Sequence, residues 1–375
     1  MSEPNAVQRF PLRHPRGQTE IAAGEGAFDT LLPELAKWVE GRHLFLLSCP
    51  RVRSLHGASL DPLRRCAARV TELETLDGEA AKTLACAGEL WSAMAAAGGK
   101  RDSRLLAFGG GSVGDLGGFV AGSFLRGIEF AQAPTTLLAQ VDAAIGGKTG
   151  IDLPEGKNLV GLFHHPAFVV AESAWLRTLP VEELRGGLAE AIKMAALLDS
   201  GLFSLLERDL EWLLAGDGQR LGPVAAAAAR AKVRVVEIDP EERAERKLLN
   251  FGHTLGHAIE TASGHGSLRH GDAVAWGMRF AMLLARREGW AADLAPRLDG
   301  LLDRLAPGRP RAISPEAVLA ALRRDKKARE RGLGWVLPRR LGEGCWDVAV
   351  PAEVIDALVP RFLAFAAGER GSLDL

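Results

Sequence analysis

The sequence predicts an α/β domain of the doubly wound type over residues 1–180 and an all-helical domain over residues 181–375. Two short apolar runs, Leu44–Leu47 and Leu105–Phe108, stop at turn residues, as buried parallel strands do. Between them, Ala80–Ala97 carries apolar residues at helical spacing. A strand, a helix and a strand in this order form the repeating unit of a doubly wound sheet.

The second half is predicted to be helical because its apolar residues recur with a helical period and β-branched residues become rare. Pro180 marks the expected boundary, since proline suits the first position of a helix. A short strand is expected within Gly332–Leu337. The predicted helices are Glu182–Leu198, Leu202–Leu214, Val224–Val236, Leu248–Thr261, Asp272–Glu288 and Pro315–Arg324.

Composition and charge narrow the class of protein. The 375 residues are 47% hydrophobic and 25% charged, which is typical of globular proteins and excludes a disordered chain. The net charge of −1 provides no general field for nucleic acid. The sequence has no apolar stretch of membrane-spanning length, no secretory signal and no paired cysteines among its four. We therefore expect a cytoplasmic protein that binds neither nucleic acid nor membrane.

A glycine-rich segment, Gly109–Asp115, directly follows the second predicted strand. Glycines let backbone N–H groups approach a phosphate, and the start of the next helix adds a positive dipole end. A tight turn without a ligand explains the same residues, and the spacing differs from the GxGxxG fingerprint. Further along, Lys148 and Lys157 each follow glycine and are interpreted as point charges for an anion or as solvated residues.

Four of the nine histidines lie between residues 253 and 270. His253 and His257 are four residues apart and share a helix face, a spacing typical of zinc ligands, so spacing alone nominates this pair. Glu190 supplies a carboxylate on another apolar helix. A structural role explains any one of these histidines, whereas the cluster with Glu190 indicates a metal site.

Basic residues near these motifs are candidate clamps for an anion, although solvation is the usual fate of lysine and arginine. They are Arg126, Lys193, Lys232, Arg246, Lys326 and Lys327.

Together these motifs resemble the 3-dehydroquinate synthases of the sugar phosphate cyclase superfamily. The resemblance extends in family order from about Asp77 to Leu337. It implies a Rossmann-like NAD-binding domain, then an α-helical domain that binds metal and substrate, and a homodimer. The stretches that carry it are Gly109–Asp115, Asp142–Lys157, Gly187–Lys193, Leu248–Glu260, Arg269–Val274 and Asp325–Lys327.

The resemblance implies that Glu190, His253 and His270 hold one divalent metal, zinc or cobalt. This set replaces the pair nominated by spacing and leaves His257 as a proton carrier or phosphate contact. Three protein ligands leave positions open for substrate hydroxyls.

The resemblance also assigns residues to NAD and to the substrate. The implied NAD contacts are Asp77, Gly78, Glu79, Ala80, Ala81, Lys82, Gly111, Ser112, Val113, Gly114, Asp115, Thr135, Thr136, Lys148, Lys157, Trp175, Leu176, Arg177 and Thr178. The implied catalytic residues are His257, Lys148, Lys193, Asn250 and Arg246. The implied substrate contacts are Asp142, Asn158, Lys232, Arg126 (reaching across a dimer), Lys326 and Lys327.

The implied reaction closes 3-deoxy-D-arabino-heptulosonate 7-phosphate to 3-dehydroquinate with loss of phosphate. NAD is transiently reduced and then returns the hydride, so no net NADH forms. The substrate has two anionic ends, a phosphate and a carboxylate, which accounts for two groups of cationic residues.

Departures from the family pattern define the alternatives. Cys49 stands where the family usually has a ribose-binding aspartate, and nearby Arg51 favours a 2′-phosphate, so NADP is the alternative cofactor. Ala143 and Ala144 replace serines that are common in the family. A different sugar phosphate cyclase is therefore the second hypothesis, and a non-catalytic nucleotide-binding subunit is the third.

Overall fold

The computed structural model describes residues 7–264, 268–328 and 334–369, and the side chains of residues 325–328 lie outside that description. The chain forms two compact units. The first contains the described residues up to Leu184 and the segment Ala215–Glu237, and the second contains Arg185–Leu214 and the described residues from Ile238 onward.

The first unit is built on a seven-stranded sheet in which all neighbouring strands are parallel except the antiparallel pair at one edge. Its order is β1-β2-β9-β6-β5-β3-β4. The strands of the sheet are β1 (Gln8–His14), β2 (Gly17–Gly24), β3 (His43–Ser48), β4 (Arg69–Glu74), β5 (Arg104–Gly109), β6 (Glu129–Pro134) and β9 (Phe168–Glu172); β7 (Lys148–Leu153) and β8 (Gly156–Phe163) form a separate hairpin.

Helices cover both faces of this sheet, which is why its central strands are almost wholly apolar. The strands predicted at Leu44–Leu47 and Leu105–Phe108 are confirmed as parts of β3 and β5. The helices assigned to the first unit are α1 (Ala27–Val39), α2 (Pro50–His56), α3 (Asp61–Arg64), α4 (Leu84–Ala96), α5 (Gly111–Ser123) and α8 (Gly218–Ile238).

The helix predicted at Ala80–Ala97 starts later than the apolar pattern suggests. Residues Gly78–Ala81 form a 3₁₀ turn, and α4 begins only at Leu84. The Thr83 hydroxyl accepts a hydrogen bond from the Cys86 backbone N–H at 3.1 Å, which caps the helix at this point.

Residues 215–237 group with the first unit, although the sequence analysis assigns them to the helical domain. Ala226, Ala229, Val233 and Val236 of α8 are buried in one cluster with side chains of β1, β2 and β9. The small alanines allow this helix to pack closely on the outer strands, and no feature of helical periodicity distinguishes that partner from another helix.

The second unit is mostly helical and also contains an antiparallel hairpin, whose first strand confirms the strand expected near Gly332–Leu337. The sequence analysis missed α11 and α13, each of which contains a proline (Pro296 and Pro360). The remaining elements are α6 (Val181–Leu198), α7 (Ser200–Leu214), α9 (His253–Ser263), α10 (His270–Arg287), α11 (Leu294–Leu305), α12 (Pro315–Ala328), β10 (Gly334–Arg340), β11 (Glu343–Ala349) and α13 (Ala352–Ala367).

The helix predicted at Leu248–Thr261 is interrupted at Gly252, whose φ of 81° is left-handed, and α9 starts at the next residue. Glycines then let α9 and α10 touch through their backbones. A Cβ added to Gly277 would lie 1.8 Å from the Gly252 carbonyl oxygen, and one added to Gly256 would lie 3.0 Å from the Ala273 carbonyl oxygen. This close approach brings His253 and His257 of α9 next to His270, the first residue of α10.

The variant Gly277→Ala should strongly destabilise the second unit, because its methyl group would overlap a backbone carbonyl that no rotamer change can move. We expect a loss of about 3 kcal/mol or more, measured by urea unfolding. Gly300→Ala is the control, since Gly300 lies on α11 with nothing within 4 Å of its would-be Cβ. That variant should gain about 0.5–1 kcal/mol in helix propensity. Equal effects of the two substitutions would contradict the packing argument.

Candidate active site

The first unit buries one lysine among carboxylates. The Lys82 side chain is 3% exposed, and its Nζ lies 3.0 Å from Asp115 Oδ2, 3.4 Å from Glu79 Oε1 and 3.7 Å from Asp152 Oδ1. It also donates a hydrogen bond to Asn158 Oδ1 at 2.5 Å. The cluster therefore joins three predicted NAD contacts and one predicted substrate contact, while Asp152 was not predicted because an acid within a strand carries no distinguishing sequence signal.

Burial and pairing oppose each other in this cluster. Burial alone would lower the pKa of Lys82, but the charges of Asp115 and Glu79 outweigh it and raise that pKa. Burial raises the pKa of Asp115 to about 6, although Lys82 partly offsets the effect. At neutral pH the cluster thus contains an ionised lysine held by ionised carboxylates.

The glycine-rich turn lies at the end of β5 and the start of α5, as predicted. A Cβ on Gly110 would lie 3.1 Å from Thr136 Cγ2, and one on Gly111 would lie 3.3 Å from the Ala143 Cβ. The backbone of this turn can be approached by a ligand because Gly110 and Gly111 have no side chains. The turn leads directly into the N-terminus of the 13-residue α5. The Ser112 hydroxyl donates to Glu79 Oε2 at 3.0 Å, which ties the turn to the lysine cluster.

Several predicted NAD contacts have side chains in the hydrophobic core instead of at a surface. They are Ala81, Val113, Trp175 and Leu176. Only their backbones can therefore face a cofactor. Trp175 packs its ring against Phe28 and Phe108, while Thr178 Oγ1 bonds His56 Nε2 at 2.8 Å and Arg177 pairs with Glu25.

Cys49, at the position where the family usually has an aspartate, lies beside the carboxylate of Asp77. The buried Cys49 thiol donates to Asp77 Oδ1 at 3.7 Å. Burial raises the pKa of the Cys49 thiol, and the Asp77 charge adds to the effect. Arg51 is exposed at the start of α2. Asp77, which follows β4, thus places a carboxylate acceptor beside Cys49 at the end of β3, where a ribose hydroxyl would need one.

Predicted substrate contacts and the predicted catalytic Lys148 lie on four elements of the first unit. Asp142 sits in a π-helical turn, Ala139–Ala143, and forms an ion pair with the nearly buried Lys232 of α8, whose Nζ also donates to the Asp142 carbonyl oxygen at 2.6 Å. Lys148 begins β7 after two left-handed glycines. The Asn158 backbone N–H donates to Asp152 Oδ1 at 2.7 Å, which joins the β7–β8 hairpin to the lysine cluster.

In the second unit the Glu190 carboxylate is completely buried on α6. Its Oε1 lies 3.6 Å from His253 Nε2 and 3.5 Å from His270 Nε2, and Lys193 forms an ion pair with its Oε2. The carboxylate thus faces one lysine and two histidine nitrogens from a fully buried position. A buried carboxylate in this state is costly unless a cation completes its environment.

The structure brings all three predicted histidines together. They form one group among themselves, and two of them form a second group with Glu190. One nitrogen from each of His253, His257 and His270 lies within 4.8 Å of the others. His257 is the exposed member of the trio, whereas the His253 side chain is 12% exposed. The set of Glu190, His253 and His270 includes a buried carboxylate, whereas the set of three histidines has no negative charge. The first set is therefore the better site for a cation.

The two histidines that face Glu190 have opposite pKa shifts. Burial lowers the pKa of His253 well below its usual value, and the charge of Lys193 lowers it further. Burial would also lower the pKa of His270, but the Glu190 and Glu260 carboxylates outweigh it and raise that pKa to about 9. His253 is therefore neutral and able to act as a ligand at neutral pH, and a metal at His270 must displace a proton.

Arg246 and Asn250 are held by acids of the loop after α8. The Asp239 carboxylate accepts backbone N–H groups of Arg243, Ala244 and Arg246 at 2.7–3.1 Å. The buried Arg246 side chain donates to the Pro240 carbonyl oxygen at 2.5 Å, and Asn250 Nδ2 donates to Glu242 Oε1 at 2.6 Å. Asp239 and Glu242 were not predicted, because their loop carries no periodic signal.

The remaining predicted residues are basic side chains, and the structure describes two of them. Arg126 lies in a left-handed turn, with φ of 66°, at the exposed end of α5, and Lys157 is exposed on β8. The side chains of Lys326 and Lys327 lie outside the described residues. Among the described residues, no helix is both long and apolar enough to cross a membrane.

The first unit thus has a glycine turn at the carboxyl end of a parallel strand, as nucleotide-binding folds do, and the second has a histidine–glutamate cluster of the kind that can hold a metal. Family models for the N-terminal and C-terminal parts of 3-dehydroquinate synthase match residues 72–186 and 187–328. The 3-dehydroquinate synthase of Symbiobacterium thermophilum is 45% identical over 81% of this chain and 86% of its own length. The chain belongs to the 3-dehydroquinate synthase family.

Solved structures of related cyclases share the fold. A 2-deoxy-scyllo-inosose synthase complexed with carbaglucose-6-phosphate, NAD⁺ and Co²⁺ is 26% identical, with a TM-score of 0.86 over 95% of this chain and 100% of that one. A 2-epi-5-epi-valiolone synthase from Streptomyces hygroscopicus with NAD⁺ and Zn²⁺ bound is 28% identical, with a TM-score of 0.83 over 94% and 97%. The predicted fold class, a Rossmann-like domain followed by a helical domain, is confirmed.

The variant Asp115→Asn should change how stability depends on pH. The raised pKa means that the folded wild type binds a proton that the unfolded chain releases near pH 4, so its stability falls as pH rises from 4 to 6. A shift of about two units is worth about 3 kcal/mol in all, of which about 2 kcal/mol is lost by the wild type over this range and should not be lost by the variant. Thermal unfolding at intervals between pH 4.5 and 7 measures the difference. Parallel curves for the two proteins would contradict the assignment.

Proposed function

We propose that the protein closes 3-deoxy-D-arabino-heptulosonate 7-phosphate to 3-dehydroquinate with release of phosphate, using NAD and one divalent metal. The observation that carries the proposal is the buried Glu190 carboxylate facing Nε2 of both His253 and His270 in a member of the 3-dehydroquinate synthase family. The related cyclase structures that contain NAD⁺ with Co²⁺ or Zn²⁺ support both cofactors.

In this proposal Glu190, His253 and His270 hold the metal. One oxygen and two nitrogen ligands suit zinc or cobalt and leave coordination positions for a substrate. The completely buried carboxylate, whose Oε1 lies 3.5–3.6 Å from both Nε2 atoms, fits a bound cation. His257, the exposed member of the trio, is then available to carry a proton to or from the substrate.

The first unit is proposed to hold NAD. The backbone of the Gly109–Asp115 turn and the start of α5 would bind the pyrophosphate, and Asp77 would accept a ribose hydroxyl, which favours NAD over NADP. Lys82, fixed by its carboxylates, orients the Glu79 and Asp115 side chains of the same site. The bound groups would supply transient hydride acceptance by NAD and acidification of a substrate hydroxyl by the metal.

The substrate is proposed to be held through its two anionic ends. Lys148, Asn158 and the Asp142–Lys232 pair belong to the first unit, and Lys193, Arg246, Asn250 and His257 to the second. Lysine and arginine at fixed positions hold phosphate and carboxylate by charge and hydrogen bonds. One of Lys326 and Lys327 completes the proposed set.

We further propose a homodimer. The hairpin strand β8 exposes Leu159, Val160 and Phe163, and Leu125 is exposed beside the left-handed Arg126. In this proposal a second copy of the chain covers these exposed apolar side chains. Light scattering should give twice the mass of one chain, and a monomer at micromolar concentration would contradict the proposal.

The cytoplasm is the proposed compartment, because none of the four cysteines forms a disulfide. Cell fractionation tests this directly.

The reaction is tested by phosphate release from 3-deoxy-D-arabino-heptulosonate 7-phosphate with NAD in catalytic amounts. We expect 3-dehydroquinate as the product, no net NADH, and a loss of about 100-fold or more in rate when a chelator removes the metal. Absence of phosphate release with metal and NAD present would overturn this substrate and favour another cyclase reaction. Stoichiometric NADH would indicate an alcohol dehydrogenase.

The metal assignment is tested by comparing His270→Ala with His257→Ala. The first variant should lose bound metal, while the second should keep it and lose about 10²–10⁴-fold in turnover through the missing proton carrier. Metal content by elemental analysis after gel filtration separates the two outcomes. Full metal occupancy in His270→Ala would show that the ligand set is wrong.

A further inference from the structure

The two histidines that face Glu190 use their other ring nitrogen in different ways. His253 Nδ1 lies 3.3 Å from the Phe251 carbonyl oxygen, and His270 Nδ1 lies 3.2 Å from Glu260 Oε2. An acceptor at Nδ1 keeps the proton of the neutral ring there, so a metal that displaces any proton from Nε2 meets the lone pair on the atom that faces Glu190. Both imidazoles are therefore held in the tautomer that a metal requires.

The acceptor at His270 is a carboxylate that comes from the neighbouring helix. Glu260 lies on α9, seven residues after His253 and three after His257, so the three side chains share one helix face. His270 is the first residue of α10 and is 33% exposed, nearly three times as much as His253. Packing therefore orients His270 less strictly, and a side-chain partner has more to contribute there.

We propose that Glu260 is a positioning residue: its carboxylate accepts the Nδ1 proton of His270 and so directs Nε2 of that ring toward Glu190. A carboxylate behind a metal-binding histidine fixes the ring and increases the basicity of the ligand nitrogen. The inference rests on the metal site of the proposed function and does not depend on the substrate. The contact that carries this effect is the 3.2 Å approach of Glu260 Oε2 to His270 Nδ1.

The test measures the affinity of the metal-stripped full chain for Co²⁺ by competition with a chromophoric chelator. Glu260→Ala should weaken Co²⁺ binding by about 10–100-fold, the usual effect of removing such a partner. Glu260→Gln keeps an acceptor oxygen without the charge and should lose less than Glu260→Ala. Glu288→Gln is the matched control, an exposed carboxylate at the far end of α10, and should bind Co²⁺ as the wild type does.

A second readout separates positioning from a general loss of structure. In the Zn²⁺-loaded wild type, the His270 Nδ1–H proton should give a slowly exchanging downfield NMR signal, which Glu260→Ala should lose and Glu260→Gln should keep. The thermal unfolding of the metal-free variants should remain within a few degrees of the wild type. Wild-type Co²⁺ affinity in Glu260→Ala, or an unchanged His270 signal, would overturn the inference.

The outcome also distinguishes this inference from the proposed metal site. If His270→Ala loses Co²⁺ while Glu260→Ala binds it normally, the metal site stands and the role of Glu260 is wrong. If His270→Ala binds Co²⁺ normally, the metal site itself is wrong, and the inference that rests on it falls with it.

Discussion

The second unit depends on one physical constraint, the burial of the Glu190 carboxylate. A fully buried carboxylate is stable only beside positive charge or a metal, and α6 supplies Lys193 one turn away. The two remaining neighbours, His253 and His270, come from α9 and α10, which can approach each other because Gly252, Gly256 and Gly277 lack side chains. Helix packing and the chemistry of the site are thus linked by the same glycines.

The first unit contains the opposite arrangement, a buried lysine among carboxylates. Lys82 is surrounded by Glu79, Asp115 and Asp152, and these acids belong to a 3₁₀ turn, a helix and a hairpin strand that also pack on one another. Because the burial of a lone lysine is unfavourable, the cluster holds the glycine turn and the β7–β8 hairpin in one arrangement. These ion pairs therefore connect the proposed nucleotide site to the hairpin.

Some candidate residues act through their backbones or through other residues. Trp175 and Leu176 belong to the core, so the segment that carries them is fixed by apolar packing and presents only main-chain groups. Glu260 and Asp239 carry acceptors that orient His270 and Arg246. Motif matching to a family identifies positions near a ligand, whereas hydrogen bonds separate the residues that touch it from those that hold others in place.

The sequence by itself determined the features that depend on local order. Continuous apolar runs predicted the buried strands β3 and β5, helical periodicity predicted most helices of the second unit, and the residues of the glycine turn and the histidine group were recognisable as motifs. Tertiary structure decided what these elements face. Periodicity could not show that α8 packs on the sheet, or that a left-handed Gly252 interrupts a predicted helix. Spacing paired His253 with His257. In the structure, however, the second histidine whose nitrogen faces Glu190 is His270. His270 lies on another helix and is adjacent to His253 because the two helices meet at glycines.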